Sequence, residues 1–300
     1  MYQGLKGMKT ITGRYMMKVH TLTATALLFM TSVLLISTFY TPAMGSTSLP
    51  PPPPQFPPIP QPELSATQRS ASTIQTCRLT PSLIEVEGTP QQIEGPYFVD
   101  DMPNRSDIRS DTSDGSVQEG VPLRLLIHVY DVDNANRDGN GFCTPLRDAK
   151  VDIWHSNAHG LYSSVRDDGT GGSDFLRGYQ MTDSNGTAQF TTVFPGWYEG
   201  RAIHIHIKVR DYDGSNETLE WTSQFYLNNS INDLVHKQPP YSEHGPVPMI
   251  NEEDFIYTGP SSDGLTQNNA GQHLMLEVKE DEQGYVGTFN VGLNATQSRE

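Results

Sequence analysis

The segment PLRLLIHVY, residues 122–130, alternates Leu123, Leu125, Ile127 and Val129 with Arg124, Leu126, His128 and Tyr130. In an extended chain, side chains two apart point the same way, so this period of two puts four branched apolar residues on one face. It predicts a strand buried on one side and partly buried on the other. The same signal recurs outward from it, at 150–155, 175–182, 187–193, 202–209, 219–227, 273–279 and 284–291. Asn185-Gly186 separates two of these runs, and because both residue types tolerate positive φ it predicts a tight hairpin turn. One short helix is predicted over 231–236, with Ser230 as its cap and Asp233 three residues on. Many short strands with long loops between them predict a mostly β protein, an antiparallel β-sandwich, over residues 73–300.

The first seventy residues read differently. Lys6, Lys9, Arg14 and Lys18 precede a run from Thr21 to Tyr40 that contains no charge. This is an export signal, with Ala43-Met44-Gly45 as a small-residue cleavage site, or a retained membrane tether through residues 21–40. Either way the remainder is exported: secreted, periplasmic or anchored at a surface. Residues 46–72 open with STSLPPPPPQFPPIPQPEL, and proline at that density makes an extended spacer rather than a core. Cys77 and Cys143 are the only cysteines; an even pair in an exported domain favours one disulfide, with two buried thiols as the alternative. The chain has 20 basic and 35 acidic residues, a formal charge of −15, which argues against nucleic acid or anionic lipid as a partner.

Residues 194–209, FPGWYEGRAIHIHIKV, carry the chemistry. On a strand His204 and His206 share one face while Ile203, Ile205, Ile207 and Val209 share the other, so two imidazoles stand side by side. Alone, such a pair is either half a metal site or a polar strand face. The neighbouring tyrosines favour the metal, because tyrosinate is a hard anionic ligand suited to a hard trivalent ion, and a ferric ion would lower the phenol's pKa enough to bind it deprotonated. The polar stretch DVDNANRDGNG, residues 131–141, has many oxygens but not the spacing of a calcium loop, and reads as a solvated loop.

These residues, with the blocks EGPYFVD (94–100), DIRSD (107–111), GVPLRLLIHVYD (120–131), PLRDAKVDIWHSNAHGLYS (145–163), FLRGYQMTDSNGTAQF (175–190) and QFYLN (224–228), resemble the intradiol ring-cleavage dioxygenases in the family's order. The resemblance implies a non-haem Fe(III) centre held by Tyr162, Tyr198, His204 and His206, with Tyr198 and His206 axial. It implies that Arg201 stabilises negative charge on the substrate ring, that Tyr198 also acts as a base, and that Gln224 lies near the substrate. The implied reaction is cleavage of a catechol-type ring by O2 to a cis,cis-muconate. His204 follows Tyr198 by only six positions, a shorter spacing than in the family's cytoplasmic enzymes, which implies a more open site and leaves the particular catechol unspecified. The alternative is an exported, non-catalytic binding module with a vestigial metal site.

Other candidates carry blander expectations. His155 and His159 are expected to hydrogen-bond or face solvent rather than bind metal. Tyr97 and Tyr179 either line the site or pack beside it, and Trp154 and Trp197 are expected to be packing residues. Asn104, Asn185, Asn216, Asn228 and Asn294 each begin an Asn-X-Ser/Thr sequon.

Overall fold

The computed structural model describes residues 88–132 and 143–294. The expectations for residues 1–45 and 46–72, for Cys77 and for most of the 131–141 loop lie outside the described residues. Cys143 is buried and disulfide-bonded.

Among the described residues nine strands follow in chain order: β1 (Pro122–Val132), β2 (Cys143–Pro145), β3 (Lys150–Trp154), β4 (Arg177–Met181), β5 (Thr187–Val193), β6 (His204–Asp213), β7 (Asn216–Tyr226), β8 (Glu277–Asp281) and β9 (Gly284–Leu293). Two sheets result. In one, β1 pairs with β2 and β5 along one edge and with β9 along the other, and β9 pairs with β8. The second has the order β4-β3-β6-β7. The period-two residues of β1 are buried together with Ile205, Ile207 and Val209 of β6 and Val151 and Ile153 of β3, which makes the shared core of a sandwich. Phe225 and Phe289 meet across it, their ring centroids 4.3 Å apart.

The expected β-sandwich is present, and four of its details need correction. The sandwich is not wholly antiparallel, because β1 and β9 run parallel through nine register pairs from Leu123↔Tyr285 to Asp131↔Leu293. The long passage between β7 and β8 lets the chain re-enter in either sense, and alternation within a strand says nothing of its partner's direction. Secondly, Asn185-Gly186 does not close a hairpin: β4 pairs with β3 and β5 with β1, so the turn carries the chain from one sheet to the other. Only Gly186 has a positive φ (72°), and a Cβ there would lie 2.4 Å from the Val129 carbonyl oxygen. Glycine is needed to let the turn approach β1, not to make a two-residue hairpin.

The helix is α1 (Asn229–Val235), and its cap is Asn228, whose side chain accepts from the Ser230 N–H. The expected cap, Ser230, is therefore inside the first turn. A second short helix, α2 (Phe255–Thr258), escaped the sequence reading; buried Asp254 caps it by accepting from the Ile256 and Tyr257 N–H groups. Residues 270–274 form a 3-10 helix where a strand was expected, and β8 begins at Glu277.

Candidate metal centre and its arginine

Four residues in cross-strand register form a row across the second sheet. Arg177 on β4 pairs with Trp154 on β3, Trp154 with His206 on β6, and His206 with Gln224 on β7. His204, two residues before His206, pairs with Tyr226. Register thus aligns the polar and aromatic groups of four strands on the face opposite the Ile205, Ile207 and Val209 core.

Two loops bring the tyrosines to this face. Tyr162 follows β3 in a loop folded around Asn157, whose backbone N–H donates to the Leu161 carbonyl and whose side-chain oxygen accepts from the His159 and Leu161 N–H groups. Tyr198 follows β5. Gly160 joins the loops: its φ is 77°, and a Cβ there would stand 2.2 Å from the Trp197 carbonyl oxygen. Any larger residue would push the Tyr162 loop away from the Tyr198 loop. Gly95, with φ of 77°, lets the 94–98 segment close over the edge of the His206 ring.

The four expected ligand residues meet. His204 Nε2 lies 3.1 Å from His206 Nε2 and 3.2 Å from the Tyr198 hydroxyl. The Tyr162 ring stands edge-on to both Tyr198 and His206, with centroids 5.7 and 6.0 Å away. His204 Nδ1 is 2.6 Å from the Ala202 carbonyl oxygen, which can only accept, so the proton sits on Nδ1 and Nε2 presents its lone pair. Burial, together with the nearby Arg201 charge, holds His204 well below the ordinary histidine range; burial and the neighbouring His204 do the same to His206. Both imidazoles are therefore neutral at neutral pH, the form that binds metal.

The phenols are pushed the other way. Burial raises Tyr162 well above the ordinary phenol range, with Tyr198 adding to the effect, and burial raises Tyr198. The Tyr162 hydroxyl is buried without a hydrogen-bond partner. Two neutral imidazoles whose Nε2 atoms face each other, a phenol in contact with one of them and an unpartnered phenol beside the other suit a cation whose charge would reverse the cost of ionising the phenols. Among the described residues no group of three or more His, Cys, Asp or Glu side chains is arranged to hold a metal. A cation here would take its anionic oxygens from tyrosine, as a hard ferric ion does.

Arg201 stands beside this cluster in a buried network. Its Nε donates to Asp254 Oδ2 (2.9 Å), and its Nη2 donates to Gln224 Oε1 (2.6 Å) and Tyr226 Oη (3.4 Å). Burial opposes the guanidinium charge, but Tyr226, Tyr198 and Asp254 outweigh it and raise the pKa, so Arg201 stays cationic. Gln224 is anchored in turn by its Nε2, which donates to the Ile93 carbonyl (2.9 Å), and the Tyr226 hydroxyl donates to Gln92 Oε1 (2.9 Å). Asp254, Tyr226 and Gln92 were not singled out in the sequence. An aspartate followed by a short apolar run is a helix-cap signal that could have marked Asp254.

The remaining candidates fall away from the cluster. His155 is fully buried, with Nδ1 2.8 Å from the Ser156 carbonyl oxygen and Nε2 2.7 Å from Thr192 Oγ1. His159 is exposed, its ring edge-on to His244, which lies over Trp197. Tyr97 stacks on Tyr162 with centroids 4.5 Å apart, whereas Tyr179 packs at the edge of that aromatic group under Lys150.

Several known proteins are similar to this chain. A family model described as Dioxygenase matches residues 93–226, the span that holds all four expected ligands, Arg201 and Gln224. A chlorocatechol 1,2-dioxygenase of Cupriavidus pinatubonensis is 30% identical over 159 residues, covering 47% of this chain and 55% of the relative. Catechol 1,2-dioxygenase 1 of Acinetobacter lwoffii is 36% identical over 165 residues, covering 47% of this chain and 46% of the relative. The chain thus spans about half the length of the curated relatives it matches. Among solved structures, an intradiol ring-cleavage dioxygenase from Tetranychus urticae is similar with a TM-score of 0.54 at 27% identity, over 69% of this chain and 94% of that one. The matched span, the shared fold and the ordered sequence blocks agree: the chain is similar to the intradiol ring-cleavage dioxygenases.

Proposed function

We propose that this domain is a non-haem, Fe(III)-dependent dioxygenase that opens a catechol-type ring between its two hydroxyl-bearing carbons, giving a cis,cis-muconate with both atoms of O2 incorporated. The observation that carries the reading is the meeting of His204, His206 and Tyr198 at 3.1–3.2 Å, with the unpartnered Tyr162 hydroxyl beside them and Arg201 held at their edge. A ferric ion held by Tyr162, Tyr198, His204 and His206 would act as a Lewis acid that draws electron density from a bound catecholate and makes its ring carbon reactive toward O2.

The chain's own residues then have separate tasks. Tyr198 Oη, the less buried phenol of the pair, would be held as a phenolate by the ferric ion and in that form would take a proton from a catechol hydroxyl as the substrate binds. Arg201 is fixed by Asp254 and Gln224 before substrate arrives, so its charge is aimed at negative charge growing on the ring without reorganisation. A preorganised group of this kind is worth about 3 kcal/mol of barrier. Gln224 keeps that guanidinium in the plane set by β7. Tyr97 and Trp154 cover Tyr162 and His206 and keep water from their buried faces.

The reading extends to location. Export by residues 1–45, by cleavage or through a tether at 21–40, is supported by the disulfide at Cys143, since such bonds persist in oxidising compartments. A non-catalytic binding module would have no use for a buried arginine held by three partners beside the ligand cluster. The deciding experiment loads the purified protein with ferric iron and adds catechol under O2. A tyrosinate-to-iron absorption band, one O2 consumed per catechol and a muconate product are expected; a protein that takes up iron yet consumes no O2 with any of catechol, protocatechuate or hydroxyquinol overturns the enzymatic reading.

A further inference from the structure

Tyr162 has a second guanidinium near it. Arg177, at the start of β4, is 2% exposed, and its donors all go to neutral oxygens: Nε to Ser163 Oγ (2.7 Å), Nη2 to the Ser163 carbonyl (2.7 Å) and Nη1 to the Tyr97 carbonyl. Other arginines of the domain have carboxylates: Arg201 pairs with Asp254, Arg210 with Asp152 and Asp100, Arg105 with Asp174 and Arg109 with Asp107. No carboxylate pairs with Arg177 among the described residues. A buried charge without a counterion is costly, and packing alone does not require one, because a neutral amide would also satisfy a hydroxyl and carbonyls.

The acceptors show what this charge holds. Ser163 follows Tyr162 directly, and Tyr97 carries the ring stacked on Tyr162. One planar fork therefore grips both the backbone that presents Tyr162 and the backbone that presents its cover. Burial pushes the guanidinium down to about 10, which leaves it charged at neutral pH, and its field acts on both Tyr162 and His206. The register row places it one strand beyond Trp154, on the face that carries His206.

We propose that Arg177 is a positioning residue for the metal centre: it fixes Tyr162 through Ser163 and Tyr97, and its positive charge, without a carboxylate partner, favours the phenolate that a bound metal would hold there. This rests on the ferric reading above and adds to it a second arginine with a task distinct from that of Arg201. Arg201 serves charge that develops on the substrate, whereas Arg177 serves charge that resides permanently on the protein ligand.

The test uses Arg177→Lys, which keeps the charge and loses the fork, and Arg177→Met, which loses both. Each is compared with the unaltered protein by thermal unfolding without metal, by the rate of ferric iron loss to a competing chelator and by the wavelength of the tyrosinate-to-iron band. The methionine variant is expected to lose iron at least tenfold faster and to show a displaced band; the lysine variant is expected to lose iron faster with the band near its original place. A merely structural role would lower the melting temperature and leave the band unmoved. Iron loss and band position unchanged in a folded methionine variant overturn the proposal. Should that variant fail to fold, iron loss from the lysine variant at the original rate overturns it. An unaltered protein that takes up no ferric iron overturns the metal reading itself, whereas one that binds iron beside unaffected variants overturns only the role of Arg177.

Discussion

Trp154 lies flat on His206, ring centroids 4.9 Å apart and planes within 7°, and the two residues are register partners on β3 and β6. The indole is fully buried and its N–H has no hydrogen-bond partner, so shape rather than polarity keeps it there. Trp154→Ala should cost about 3–5 kcal/mol of stability, the range for a large aromatic removed from a core. Trp154→Phe should fold but leave the imidazole free to swing. Iron release to a chelator would then accelerate more than the loss in melting temperature accounts for, and equal effects on both would deny Trp154 its orienting role.

Arg201 and Asp254 form a buried ion pair on which the role proposed for Arg201 depends, the carboxylate being wholly inaccessible. Asp254 also caps α2 and accepts from the Ala202 N–H, two residues before His204. Asp254→Ala strands the guanidinium and should cost about 3–5 kcal/mol, measurable by chemical unfolding. In the folded fraction, turnover of catechol should fall by about a hundredfold, as when a preorganised donor is lost. Gln224→Ala, by contrast, should lower turnover while shifting the unfolding midpoint far less.

Fold and site were not equally legible in the sequence. The period-two pattern located β1 and β5 to within two residues and put His204 and His206 on one face, because alternation is a property of a single strand. The parallel pairing of β1 with β9 and the passage of the chain between sheets at Gly186 depend on strand partners more than twenty positions away, and nothing local records them. The meeting of Tyr162, Tyr198, His204 and His206 was legible because alternation puts the two histidines on one strand face and the resemblance carried by the ordered blocks named the two tyrosines, which lie on loops. Asp254, Tyr226 and Arg177 were not, since an aspartate at a helix start, a tyrosine on a strand and an arginine before Gly178 each have an ordinary reading until the fold assembles them around the same few ångströms.

His155 supplies a pH dependence. Burial depresses its pKa to about 4, against about 6.5 for an exposed imidazole, so the unfolded chain binds the proton more readily than the folded one between those values. Stability contributed by the neutral ring is present above pH ~6.5 and is lost as pH falls toward ~4, by about 3 kcal/mol in all. His155→Gln keeps a donor for the Ser156 carbonyl and an acceptor for Thr192 but does not titrate. Metal-free unfolding curves recorded from pH 7 to pH 4 should therefore be flatter for the variant, and parallel curves would show that His155 is not the responsible group.

Tyr162 should set stability against metal binding. Its hydroxyl is buried with the Tyr198 hydroxyl near it but makes no well-formed hydrogen bond, a situation that costs about 1–3 kcal/mol. Removing the oxygen leaves the ring in its stack with Tyr97, so metal-free Tyr162→Phe should be as stable as the original or more so by about 1 kcal/mol. On the proposed ferric reading the same change would delete one of two anionic ligands, and ferric affinity should fall by orders of magnitude. Tyr198→Phe provides the control, because the Tyr198 hydroxyl already contacts His204 Nε2 and its removal should not stabilise the metal-free protein. Chemical unfolding of both variants without metal, followed by ferric titration, separates the cases: a metal-free Tyr162→Phe protein less stable than the original would mean that the hydroxyl is satisfied within the fold and is not reserved for a cation.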